Sequence, residues 1–120
     1  MASRAGEGFP KALRLKSRRQ FLEVQGEGVK VSAGPLLGLA KKNGSQVTRL
    51  GLTVSSKVGN AVERARIKRR LRELFRRQRA RLPEGLDVVL IARQSAREAD
   101  FAALSQAFDA VAVGLRGLFP

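Results

Sequence analysis

The sequence contains no cysteine, histidine, tryptophan or tyrosine, and acids are scarce, with 10 Asp and Glu against 24 Lys and Arg in 120 residues. Without cysteine, a disulfide framework, a thiolate zinc site and a cysteine nucleophile are excluded. Without histidine as well, Ser-His and Cys-His nucleophilic catalysis and the usual transition-metal sites are out of reach. Long apolar runs are also missing. The start, MASRAGEGFP, holds no stretch of signal-peptide length, and nowhere do roughly 18 apolar residues follow one another. The expectation is a cytoplasmic, soluble protein with no membrane association and no obligate protein partner.

What is present is positive charge, and most of it is in one place. The net charge is +14, and the segment from Arg64 to Arg81 alone contains ten of the bases and a single acid, Glu73. Ile67, Leu71, Leu74, Phe75, Gln78 and Leu82 recur there at helical spacing. At about 100° per residue they fall within one stripe, while Lys68, Arg72, Arg79, Arg76, Arg69, Arg66, Arg77, Arg70 and Arg81 occupy the remaining arc. Such a helix can dock on a core and present guanidinium elsewhere. A solvated helix normally mixes Glu with Lys in i,i+4 pairs, whereas here self-repulsion costs stability unless a polyanion relieves it. Arginine outnumbers lysine nine to one in the segment, which favours bidentate phosphate contacts and stacking on bases. A membrane-surface helix would leave its apolar stripe free, but a strand run and a further helix need cover.

The chain length suits one domain. Residues 1–12 are Gly-rich and basic without apolar periodicity and are expected to form a flexible arm, with the folded domain spanning 13–120. Ser17 with Gln20 makes a capping-box pattern for a first helix, which Gly26 and Gly28 should stop. Val29 to Ser32, Leu36 to Lys41 and Leu50 to Val54 read as strands, with Asn43-Gly44 as the turn of a hairpin between the second and third. Asn60 caps the basic helix, with Glu63 placed to return a hydrogen bond. That helix should end near Leu82, before Pro83 and Gly85. Val88 to Ile91 has the pattern of a central strand covered on both faces. Asp100 caps a last helix with Leu104, Phe108, Val111, Leu115 and Leu118 on its core stripe. The fold class is therefore α+β in the order α-β-β-β-α-β-α.

The run from Gly59 to Glu73, GNAVERARIKRRLRE, resembles the arginine-rich signature of the protein subunit of bacterial ribonuclease P. Arg14-Leu15-Lys16 with Phe21, Arg49 to Lys57, and Val88 to Arg93 resemble the same family's opening helix, third strand with its loop, and last strand. The resemblance implies a four-stranded mixed sheet with helices packed on it, like the second domain of ribosomal protein S5. It also implies a left-handed βαβ crossover, against the usual right-handed rule. The implied function is to bind the catalytic ribonuclease P RNA and the 5′ leader of precursor tRNA, while RNA and magnesium perform the endonucleolytic hydrolysis. Magnesium would be held mainly by RNA, with none bound by the protein alone and no catalytic residue in the chain.

By the same resemblance, Lys57, Asn60, Arg64, Arg66, Lys68, Arg69 and Arg72 are the RNA-binding residues; Arg70, Arg76, Arg77, Arg79 and Arg81 are candidates by charge only. Phe21 matches a ring of the leader cleft, and Gln25 stands where the family commonly has a second aromatic. The strand position that often bears tyrosine falls near Gly38, and the signature's usual Asn is Ala65. Two other readings compete. One is a basic ribosome-associated RNA-binding protein; the other is a metal-dependent nuclease using Asp87 or Asp100, which read more simply as a turn residue and a helix cap.

Overall fold

The computed structural model describes residues 11–120. Of the expected arm, residues 1–10 lie outside the described residues, and Lys11–Leu13 forms one turn of 3-10 helix. The chain then runs through α1 (Arg18–Glu27), β1 (Val29–Ala33), β2 (Leu36–Lys42), β3 (Arg49–Thr53), α2 (Ala61–Gln78), β4 (Leu86–Ala92) and α3 (Phe101–Leu118), with 3-10 turns at Arg79–Arg81 and Gln94–Arg97. This is the expected α+β order, a four-stranded mixed sheet with three helices.

The sheet order is β1-β2-β4-β3. β1 and β2 are antiparallel, with Val31 opposite Gly38, and Gly34 between them takes φ +53°. β4 pairs antiparallel with β2, Gly38 opposite Leu90, and parallel with β3, Gly51 opposite Val89. β4 is therefore central, and β3 reaches it through α2. The expected hairpin between β2 and β3 does not form, because β4 lies between them. Gly44 does take a positive φ, +78°, but the Asn43 turn serves another purpose: it crosses the start of β4, where the Asn43 N–H donates to the Gly85 carbonyl at 2.9 Å.

Local signals explain the helix ends. The Ser17 hydroxyl accepts from the Gln20 N–H at 3.2 Å and Gln20 Oε1 accepts from the Ser17 N–H at 3.1 Å. Contrary to expectation, α1 runs through Gly26, which is exposed, and stops only at Gly28. Gly28 marks a close approach: a Cβ there would lie 2.7 Å from the Ala40 carbonyl oxygen of β2.

Strand parity divides the core in two. Leu36, Ala40, Leu50, Val88 and Leu90 face α2 and α3, meeting Ile67, Leu71, Leu74, Phe75, Leu104, Phe108, Val111 and Leu115. Leu39 and Val89 face the other way and pack with Leu15 and Val24, with Phe21 and Ile91 at the margin. α1 thus covers only part of the second face. One expectation about the core needs correction. Leu118 is 53% exposed, lying past the last turn of α3 that meets the sheet. Phe101 is half-buried, with the Arg77 guanidinium 5.7 Å from its ring centroid, so it forms a cation–π contact at the core's edge.

Gly38 sits directly under α3, where an added Cβ would lie 2.6 Å from Val111 Cγ1. Gly38→Ala is expected to destabilise the protein by about 1–3 kcal/mol through overpacking, seen as a lower urea midpoint with an unchanged slope. Gly26→Ala meets nothing within 4 Å and should stabilise by about 0.5–1 kcal/mol through helix propensity. Equal midpoints for the two variants would refute this account of α3 packing.

Candidate nucleic-acid interface

The interface is built outward from the junction of β3 and α2. Val54 and Val58 are buried and pin both ends of the connecting loop, while the Val58 N–H donates to the Ser55 carbonyl at 3.0 Å. Held this way, Lys57 projects from an exposed turn. Asn60 Oδ1 accepts from the Glu63 N–H at 2.8 Å and Glu63 Oε1 accepts from the Asn60 N–H at 2.9 Å, the expected capping box. Asn60 therefore has its amide N–H groups left for an outside partner. Gly59 makes room for the carboxylate, since a Cβ there would lie 2.5 Å from Glu63 Oε1.

Along α2 the cations separate into two sets. On one flank, Arg66 Nη2 donates to the Arg97 carbonyl at 3.2 Å and Arg70 Nη1 to the Ala99 carbonyl at 3.4 Å. Glu73 accepts from Arg76 at 3.0 and 2.6 Å and from Arg77 at 2.6 Å, and Arg81 pairs with Asp109. On the other side, the side chains of Arg64, Lys68, Arg69, Arg72 and Arg79 have no hydrogen bond or ion pair with the described residues. Arg64, Lys68, Arg79 and Arg72 fall at about 60°, 100°, 120° and 140° from Ile67 on the helix, one flank. Sequence reasoning found all these residues by charge or resemblance but missed the division, because the partner atoms on Arg97, Ala99 and Asp109 lie about 30 residues away.

Two grooves adjoin the unpaired flank. Arg64, Lys68 and Arg72 line one beside Val54 and Ala61. Lys68 and Arg72 also border a second, smaller one with Arg14, Leu15, Phe21 and Gly51. In it the Phe21 ring lies against Gly51, where a Cβ would come within 2.6 Å of Phe21 Cε2. One side of the half-buried ring packs on the α1 core cluster, and the other borders the groove. Gln25 follows one turn later on α1, half-buried. Gly38, by contrast, points to α3, so the position expected near it on the cleft side is occupied by Leu37 or Leu39, which strand parity turns toward α1.

The acids do not assemble. Glu63 pairs with Arg97, Glu73 with Arg76 and Arg77, Asp87 with Arg49, and Asp109 with Arg81, and Asp100 accepts from the Ala103 N–H as the α3 cap. Among the described residues no three acids come together as a metal-binding group. Nor is any helix among them long and apolar enough to cross a membrane.

A basic helix laid along a half-open sheet, with its two acids Glu63 and Glu73 both tied to arginine, defines a small α+β protein of the RNA-binding class. A family model described as Ribonuclease P matches residues 9–115. The ribonuclease P protein component of Thermotoga petrophila is 39% identical over 77% of this chain and 79% of its own length. That of Gluconacetobacter diazotrophicus is 47% identical over 78% and 83%. The solved ribonuclease P protein of Staphylococcus aureus superposes with a TM-score of 0.79 at 29% identity, covering 92% of this chain and 100% of that one. The Thermotoga maritima protein gives 0.74 at 36% identity, covering 79% and 90%. The chain belongs to the ribonuclease P protein family, as a subunit of that tRNA-processing ribonuclease.

Hydrogen bonds from Arg76, then from Arg77, hold the Glu73 carboxyl down to about 2. A carboxyl lowered in this way lends its stabilisation in full above the ordinary carboxylate range and loses it as pH falls through about 2. An NMR titration should place the Glu73 midpoint well below 4 in the wild type and return it toward the ordinary value in an Arg76→Ala, Arg77→Ala variant. A midpoint near 4.5 in the wild type would show that the two arginines are not held on it.

Proposed function

We propose that this subunit grips the catalytic ribonuclease P RNA with the unpaired flank of α2 and steers the 5′ leader of precursor tRNA along the open part of the sheet. The carrying observation is the separation of cations on α2. A helix whose charge served only solubility would have no reason to leave one flank unpaired while the other is tied to carbonyls and carboxylates. Arg64, Lys68, Arg69 and Arg72, with Lys57 and the free amide of Asn60, offer charge-assisted donors to phosphate. Arg66 reaches RNA with the N–H groups that its bond to the Arg97 carbonyl leaves over.

The leader lies against Phe21, whose outward side offers a stacking surface, with Gln25 supplying an amide beside it. Hydrolysis belongs to the RNA. Among the described residues no three acids come together, a poor fit to a protein-held magnesium ion, so the metal that the reaction uses is held by the RNA. As the relatives are bacterial, the working place is the cytoplasm, where precursor tRNA is made.

If roughly six phosphates are neutralised, log K should fall with log salt at a slope of about −4 to −5. The Arg64→Ala, Lys68→Ala, Arg72→Ala variant should keep wild-type circular dichroism but fail to support cleavage of precursor tRNA by the RNA at low magnesium; undiminished cleavage would overturn the proposal. Phe21→Ala should weaken binding of leader-bearing precursor by about 1–3 kcal/mol per stacked base and leave mature tRNA unaffected.

A further inference from the structure

The turn Gln94–Arg97 lies between β4 and α3, far in sequence from the start of α2, yet it is fastened there at two points. Arg97 Nε donates to Glu63 Oε2 at 2.9 Å, and the Arg97 carbonyl accepts from Arg66 Nη2 at 3.2 Å. Glu63 is the residue whose other oxygen, Oε1, closes the capping box on the Asn60 N–H. One carboxylate thus takes the helix's own cap on one oxygen and a distant arginine on the other. Its side chain is 20% exposed, while that of Arg97 is 57% exposed. The carboxyl is held below its ordinary range, first by the Asn60 N–H and then by Arg97.

Without Arg97, the Glu63 side chain has a freer choice of rotamer and of partner. It sits between Arg66 and Arg97, either of which can compete with the Asn60 N–H for the same oxygens. With Arg97 on Oε2, Oε1 is left in place for the cap. We propose that Arg97 is a positioning residue for RNA binding: by fixing the Glu63 carboxylate it sets the first turn of α2, and with it the direction in which Asn60, Arg64 and Lys57 face the RNA. This rests on the reading of α2 as the RNA-binding helix. The alternative role for an exposed arginine on this side is to touch phosphate directly, and the two roles differ in what salt does to them. Loss of a positioning contact lowers affinity at every salt concentration, whereas loss of a phosphate contact also lowers the slope by about 0.7–0.9.

The test uses the full chain and ribonuclease P RNA, with affinity measured over a range of salt for the wild type, Arg97→Ala, Glu63→Gln, the double variant, Arg97→Lys and Lys68→Ala. Arg97→Ala and Glu63→Gln are each expected to weaken binding by about three- to tenfold, and the double variant by no more than either single one, because both act on one interaction. The salt slope of Arg97→Ala should equal that of the wild type, and Arg97→Lys, whose ammonium can still reach the carboxylate, should restore most of the affinity. An affinity for Arg97→Ala equal to wild type overturns the proposal, leaving an inert surface ion pair. So does a slope lowered by one contact together with additive losses in the double variant, which would make Arg97 a phosphate ligand. Lys68→Ala gauges the underlying interface separately: its slope should fall by one contact, and if it does not, the reading of α2 fails together with the proposal built on it.

Discussion

The structure depends on the docking of one narrow apolar stripe. α2 carries a density of like charge that no isolated helix of its length would tolerate, and it stays helical because Ile67, Leu71, Leu74 and Phe75 are removed from water against the sheet and α3. The capping box at Asn60 and the ion pairs of Glu73 reduce the repulsion at two points. The remaining charge is left where no part of the described protein meets it. Packing therefore tolerates an electrostatic penalty that the proposed RNA partner would relieve, and fold and proposed function are coupled through that one helix.

Strand parity does the rest of the positioning. Alternate residues of β2 and β4 look to opposite faces, so α2 with α3 occupies one side and the shorter α1 only part of the other. Phe21 ends up at the edge of α1, resting on a glycine of β3. Lys68 and Arg72 come around the same edge from α2 to border that groove. Two elements that belong to opposite layers thus meet at β3, the strand at the sheet's border. The proposed leader track and the proposed RNA grip are neighbours for this reason.

Much of this was legible in the residues themselves. Capping boxes are local, so Ser17 with Gln20 and Asn60 with Glu63 could be placed from spacing alone. The stripe of α2 and the doubly covered β4 followed from periodicity. What failed was non-local. The supposed β2–β3 hairpin rested on a sound turn signal at Asn43-Gly44, but no local feature announces that a strand beginning more than 40 residues later will insert between the two. The resemblance placed a strand position only near Gly38, and since a one-residue shift reverses parity it could not say that Gly38 itself faces α3; Leu118 was credited to a stripe that outlasts the sheet beneath it. The pairing of Glu73 with Arg76 and Arg77 is local in spacing, but the ties of Arg66 and Arg70 to the backbone carbonyls of Arg97 and Ala99 and of Arg81 to Asp109 could not be read, since those acceptors lie about 30 residues away.

The central place of β4 also governs the order in which the chain can become structured. β1 and β2 are neighbours in sequence and can pair as soon as both exist. β3 has no strand partner until Leu86–Ala92 has been synthesised, and the whole of α2 separates the two, so the loop that must close includes the helix itself. Until then α2 has only half of its supporting surface, and its stripe remains open to water. The most heavily charged part of the protein is thus completed only by a strand made after it, and a chain cut short before residue 92 lacks the strand on which α2 rests.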